Sequence, residues 1–297
     1  MGAGVANALS QAGISVILVD KGDFASGTSS KSSKLIHGGL RYLAQGRIGL
    51  TRSLLNERNY LVKHTRAVKE EAFDILVGRN QFGKLSIRLG LILYGLLGGG
   101  KPSRFKKNDG LYPDEVDGYF TYADCVTDDS YLTILNVVSA HQNGAICLNY
   151  VSCLGMEKKE KGITAKLQDI LTGDVFDVDS SIIINCAGAW ITSLLPEALL
   201  DSKSIRMSKG IHLIYSRNAF SGDHAVAFKS PIDGRQMFVI PREKVVIIGT
   251  TDTFTDSPSD LTVKPDERDY VIKSCSFVSR LFSSVSPIGE YAGIRTL

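Results

Sequence analysis

The sequence predicts an α/β fold in which a parallel, helix-covered sheet is interleaved with a second, antiparallel sheet. Three observations carry this expectation. Residues 1–13 are small and helical in pattern, and the apolar run Ile14–Asp20 that follows ends in an acid. Such a run reads as a parallel strand buried on both faces. Residues 28–43, TSSKSSKLIHGGLRYL, crowd hydroxyls, lysines, a glycine pair and three chemically active side chains into one stretch. The last third is rich in β-forming runs separated by polar turns, which suggests a second sheet carrying substrate contacts.

Length and composition bound the answer. At 297 residues the chain exceeds one ordinary domain, so two intertwined domains are expected. An apolar fraction of 43% with 29 glycines describes a folded protein with many tight turns. A net charge of +3, scattered along the chain, excludes a nucleic-acid partner. The cysteines at 125, 147, 153, 186 and 275 form no CxxC pair and no metal spacing with histidine. No metal is expected, and the odd count suits reduced thiols in a cytoplasmic setting. The apolar run Leu89–Leu97 falls far short of the roughly 20 residues that span a bilayer.

Taken in order, the first helix stops at Gly13 and the first strand closes on Asp20. A dinucleotide fingerprint places an acid about 20 residues beyond its glycines, where it meets a ribose hydroxyl. Gly2 stands 18 positions before Asp20. It is therefore read as the last fingerprint glycine, with Gly4 aiding close packing. The strand and the glycines that normally come before are not in this chain. In the next stretch Ser29, Ser30, Ser33 and Lys34 suit phosphate oxygens, which need many donors and positive charge. Gly38-Gly39 suits backbone passing close to a flat ligand. His37, Arg41 and Tyr42 offer a base, a fixed cation and a phenol. The bland alternative is a Ser-rich surface loop followed by a helix.

Residues 48–68 read as a helix with Leu50, Leu54, Leu61 and Val62 on one face and Glu57-Arg58 toward water. Residues 86–97 read as an apolar helix flanked by Arg79, Lys84, Arg88, Lys101, Arg104, Lys106 and Lys107. It is either a core helix with solvated charges or a basic-collared patch lying on an anionic membrane surface. Asp128-Asp129 caps a helix through Leu132, Leu135 and Val138 that stops near Gly144. Strands follow at 145–150 and 163–168, with a hairpin turn at 171–173. Residues 181–186 read as a buried strand running into Ala187-Gly188, where ligands meet the carboxyl ends of parallel strands. Trp190 reads as packing. Residues 210–215, 236–241 and 245–252 are the β-rich runs of the last third. In them His212 is a strand residue or a catalyst, and Thr250 and Thr251 are hydroxyl donors or strand formers.

These residues carry a resemblance. The run 29–43 is similar to the flavin-binding segment of FAD-dependent glycerol-3-phosphate dehydrogenases and oxidases. YADCVTDD (122–129), NCAGAW (185–190), KGIH (209–212), FVIP (238–241), IGTTD (248–252) and GIR (293–295) agree in the same order. The Ser-Lys pattern favours the single-subunit respiratory form over the multisubunit anaerobic one. Against the family pattern the chain lacks the first strand and everything after the segment that ends near Arg295.

The resemblance implies an FAD-binding, Rossmann-like domain of the glutathione-reductase and D-amino-acid-oxidase type over 1–44 and 118–197. A substrate domain is implied over 45–117 and 198–297. It implies oxidation of sn-glycerol 3-phosphate at C2 to dihydroxyacetone phosphate, a hydride passing to the flavin and electrons leaving to quinone. Gly2, Gly4, Asp20, Ser29, Ser30, Ser33, Lys34, Leu35, Ala187 and Gly188 would hold FAD. His37 is the candidate base, with Arg41, Tyr42 and Arg295 completing the catalytic set. Arg41, Tyr42, His212, Thr251 and Arg295 would contact substrate. The protein is expected in the cytoplasm, with a peripheral contact on the inner face of the membrane. Two readings stay open: another flavin-dependent amine or hydroxy-acid oxidase of the same fold, and a fragment that folds without binding FAD.

Overall fold

The computed structural model describes residues 1–78, 81–98, 100, 103–195 and 205–296. Arg79 and Lys101 of the basic collar lie outside the described residues.

The chain opens with α1 (Gly2–Gln11), and Gly13 at φ 77° turns it into β1 (Ile17–Asp20). After the hydroxyl-rich loop come β2 (Leu35–Ile36), α2 (Leu40–Leu43), α3 (Ile48–His64), β3 (Val68–Gly78) and α4 (Gln81–Gly98). The middle holds β4 (Phe105–Lys107), β5 (Val116–Thr127), α5 (Asp129–Gln142) and β6 (Ile146–Asn149). As expected, Asp128 caps α5, its carboxylate accepting the Tyr131 amide at 3.0 Å. A three-stranded meander follows, β7 (Val151–Lys158), β8 (Ile163–Asp169) and β9 (Val175–Ser180). The last third supplies β10 (Met207–Ser216), β11 (Ala225–Lys229), β12 (Gln236–Pro241), β13 (Val245–Gly249) and β14 (Thr253–Thr255). It ends with α6 (Pro265–Cys275), α7 (Leu281–Ser284) and β15 (Gly289–Thr296).

A ten-stranded sheet dominates. Its order is β14-β10-β13-β12-β11-β3-β5-β2, with β15 also on β10 and β4 on β5. It is antiparallel except where β11 runs parallel to β3. Its core is dense: Ile211, Leu213, Tyr215, Val239, Ile248 and Phe282 are fully buried together.

Three expectations need correction. The helix expected over 48–68 ends at His64, and Val68–Gly78 is a strand paired with β5 along its length. Arg58, expected in water, is 4% exposed because Asp124 of β5 receives its guanidinium at 3.3 Å. The strands expected to be buried on both faces are not. β1 pairs only with β6 among the described residues, and Ile14 and Ile17 reach solvent. Residues 181–186 form no strand, with Ile182 75% and Ile184 52% exposed. A parallel strand needs a neighbour for its backbone donors and acceptors, and none lies beside this segment among the described residues.

Candidate active site

The hydroxyl-rich loop is held against the last strand. Thr28 to Ser30 form a short 3-10 turn, and the Thr28 hydroxyl donates to the Ile294 carbonyl at 2.7 Å. The Tyr291 phenol donates to the Ser32 carbonyl at 2.9 Å. At Gly293 the backbones meet so closely that a Cβ would sit 2.7 Å from Cβ of Lys31. Residues 28–33 and β15, some 260 positions apart, thus form one wall.

His212 of β10 stands behind that wall. Its Nε2 lies 2.8 Å from the Ser33 hydroxyl, and its ring stacks on Tyr291 at 4.8 Å and 16°. Burial, with lesser help from the charges of Arg295 and Lys34, pushes its pKa down to about 3, so the ring is neutral. Its buried Nδ1 has no partner among the described residues. Lys34, at φ 57°, turns its ammonium to Asp129 (2.5 Å) and to the Ser30 carbonyl. Its charge is spent on the start of α5. Leu35 pairs with Val126 and packs on the core.

His37 is exposed at the mouth, its ring 6.4 Å from that of Tyr42, over which the Arg41 guanidinium sits at 5.5 Å. The glycines after it correct the sequence reading. A Cβ on Gly38 would meet Leu55 and the Tyr94 hydroxyl at 2.2 Å, and Gly39 takes φ 83° at the start of α2. Helix packing and a left-handed turn, rather than a flat ligand, require them. Behind them lies a polar cluster that sequence reasoning missed. Asp124, 1% exposed, accepts from the Gly38 amide (3.1 Å), the Tyr94 hydroxyl (3.1 Å) and Arg58. Burial raises its pKa while Arg58 and the nearby His37 oppose the rise. An acid inside an apolar strand was the available signal. A cavity of about 750 Å³ opens beyond this cluster, but none of the residues expected at the site line it.

Arg295 stands near the end of β15. Its Nη2 donates to the Thr251 carbonyl at 2.7 Å and stands 3.8 Å from the Asp252 carboxylate. Burial holds it below the ordinary arginine range, Asp252 opposes this, and the charges of Arg235 and Arg41 add to the lowering. The Thr251 hydroxyl accepts the Ile211 amide at 3.0 Å, and the Thr251 carbonyl accepts from Arg295.

The remaining expected residues form a separate group at the parallel sheet. A Cβ on Gly2 would lie 3.4 Å from Cys186 and 3.5 Å from Leu18. Asp20 ends β1, partly desolvated, its carboxylate accepting the Gly22 amide at 3.0 Å. Gly188, at φ 56°, turns the chain after Ala187 into a 3-10 helix. Trp190, crossed by Lys21 at 4.5 Å, borders Gly27 of the hydroxyl-rich loop. Gly4 is exposed with nothing within reach of a Cβ, so the close packing expected there is not found.

The chain is similar to known proteins along its whole length. The family model described as FAD dependent oxidoreductase matches residues 1–297. The aerobic glycerol-3-phosphate dehydrogenase of Staphylococcus haemolyticus (strain JCSC1435) is 34% identical over 318 residues, spanning 100% of this chain. That of Staphylococcus aureus (strain USA300) is 35% identical over the same span. This chain spans 56% of the length of each. The structure of glycerol-3-phosphate dehydrogenase from Bacillus halodurans, complexed with FAD, superposes with a TM-score of 0.74 at 27% identity. It covers 99% of this chain and 54% of that one. L-alpha-glycerophosphate oxidase from Mycoplasma pneumoniae, with FAD bound, shares the fold at a TM-score of 0.75 and 15% identity, covering 99% and 80%. The α/β fold expected from sequence is that of these structures, and the chain belongs to the FAD dependent oxidoreductase family.

Proposed function

We propose that the chain forms the cofactor- and substrate-binding part of an enzyme that oxidises sn-glycerol 3-phosphate to dihydroxyacetone phosphate with FAD. One observation carries the reading: the loop 28–33 and the strand bearing Arg295 are tied into one wall, with His37 and Arg41 at its mouth. The 34–35% identity to aerobic glycerol-3-phosphate dehydrogenases supports it across the whole chain.

The residues present fit FAD. The first amides of α1 receive no side-chain cap, Asp20 stands at the carboxyl end of β1, and Gly188 opens the turn beside Gly2 and Cys186. Helix-start amides suit a pyrophosphate and the acid suits a ribose hydroxyl. Ser29, Ser30, Ala187 and Leu35 would line the rest, while Lys34 and Ser33 act by shaping the loop. FAD, when bound, takes up the hydride from C2. His37 removes the hydroxyl proton, and the buried Asp124 behind it attracts the imidazolium that forms. Arg41 and Arg295 hold the phosphate, and neutral His212 fixes Ser33 and Tyr291 in the wall. The domain division at 1–44 with 118–197 and 45–117 with 198–297 goes with this reading.

Quinone as acceptor and a membrane-surface contact from the cytoplasmic side complete the proposal. Among the described residues no helix is long and apolar enough to cross a membrane. Instead α4 turns Leu85, Leu89, Ile92, Leu93 and Leu96 to solvent along one face beside the exposed Arg88. That pattern suits an interfacial helix.

Anaerobic addition of sn-glycerol 3-phosphate to the full-length, FAD-loaded protein tests the reading. The flavin absorbance is expected to bleach with the phosphate ester and to persist with glycerol or glycine. His37→Gln should slow the bleaching by roughly 10²–10⁴-fold with FAD retained. Bleaching by glycine and not by the ester would overturn the assignment.

A further inference from the structure

Arg295 shares its carboxylate with a second guanidinium. Asp252 places Oδ1 3.8 Å from Nη2 of Arg295 and Oδ2 4.0 Å from Nη1 of Arg235, and it also receives the Ser208 hydroxyl. Both ion pairs are too long to be hydrogen bonds. The guanidiniums are therefore held near one another, with Nη2 of Arg295 already donating to the Thr251 carbonyl at 2.7 Å. Arg235 is anchored at its base, its amide donating to Asp233 at 3.1 Å and its Nε 3.6 Å from the same carboxylate, while Nη1 turns to Asp252. All three side chains remain between about a third and a half exposed, so solvent and solutes reach them. Beneath them Gly210 leaves bare backbone, since a Cβ there would lie 2.6 Å from Nη2 of Arg295.

The charge balance is informative. Arg41 is close enough for its charge to act on Arg295 as that of Arg235 does. Three guanidiniums against the carboxylates of Asp252 and Asp233 leave a net positive charge beside several N–H donors. A carboxylate substrate offers these donors two acceptor oxygens, whereas a phosphate monoester offers three and more negative charge.

We infer that Arg235 is a third phosphate-binding guanidinium and that Asp252 is the fixed spacer that aims it and Arg295 at a dianion. The inference rests on the glycerol 3-phosphate reading and adds to it a residue that sets specificity for the phosphate over a carboxylate.

The test is titration of the full-length, FAD-loaded protein with inorganic phosphate, followed by the rise in melting temperature. Arg235→Gln should weaken phosphate binding about tenfold, and Arg235→Lys should recover part of the loss because charge without the planar fork remains. In turnover Arg235→Gln should raise KM for glycerol 3-phosphate by a similar factor and leave kcat unchanged. Asp252→Asn should tighten inorganic phosphate binding by removing the competing charge. If Arg235→Gln binds phosphate as the parent does while Arg295→Gln loses it, Arg235 has no such role and the glycerol 3-phosphate reading stands. If the parent shows no phosphate-dependent stabilisation, both fall.

Discussion

The ten-stranded sheet and the small parallel sheet are made from similar residues yet end in different states. In the first, Ile211, Leu213 and Ile248 are wholly buried between neighbouring strands and α6. In the second, Ile17 and Ile146 are 41% and 52% exposed and only β1 and β6 pair, and in the unpaired segment 181–186 Ile182 and Ile184 are 75% and 52% exposed. Apolarity alone does not bury a strand: a ladder partner on each side and a layer on each face are needed. The contrast locates stability in the ten-stranded sheet. It leaves the expected cofactor residue Asp20 on the less packed one, with Gly2 at the start of α1 and Gly188 in a 3-10 helix.

The sharpest way to break this comparison is through the large sheet's buried ion pair. Asp124→Ala leaves Arg58 charged and nearly fully buried without its partner. The expected cost is about 3–5 kcal/mol by denaturant unfolding, with much of it recovered when Arg58→Met is added. A loss near that of a surface change would show that the cluster behind His37 is not under load.

His212 gives the next effect. Its folded pKa, about 3, lies below the ordinary histidine value of 6.5. Between those limits the unfolded chain holds a proton that the folded chain does not, so stability rises with pH across that window. It falls by about 1.4 kcal/mol per pH unit as acid is added from roughly pH 6 downward. His212→Gln should remove that part of the slope. An unchanged slope would mean the ring is solvated and the wall open.

The smallest effect belongs to the unpaired segment 181–186. Ile182→Ser should change stability by no more than about 0.5 kcal/mol, because little surface is withdrawn from water there. A loss of several kcal/mol would mean that this segment is packed in solution.

What the sequence disclosed follows the same division. The runs 210–215 and 236–241 are strands as read, and the run 245–252 is a strand as far as Gly249, because each carries its own apolar and β-branched signal. β3 escaped because Lys69, Glu70 and Glu71 interrupt it, and Glu71 is an ion partner of Arg242. Arg58 looked solvated because its partner is 66 residues away. Arg41 and Arg295 were named from a resemblance. Arg235 sits in an ordinary polar turn, and its relation to Asp252 exists only once β12, β13 and β15 are assembled. Gly38 and Gly39 were found, but for the wrong neighbour: their tight contacts are with Leu55, Tyr94 and Leu54, all side chains of the same chain.

The account's central claim is that FAD occupies the junction of the loosely packed sheet and the hydroxyl-rich loop, leaving the large sheet as its support. Hydrogen exchange of the full-length protein with and without FAD tests this directly. Amides of residues 2–5, 28–35 and 181–188 should exchange more slowly with FAD, while those of β10, β12 and β13 stay as protected as before. Protection confined to α3, α4 and the cavity beside Arg58 and Tyr94, with none at 2–5 or 181–188, would contradict it.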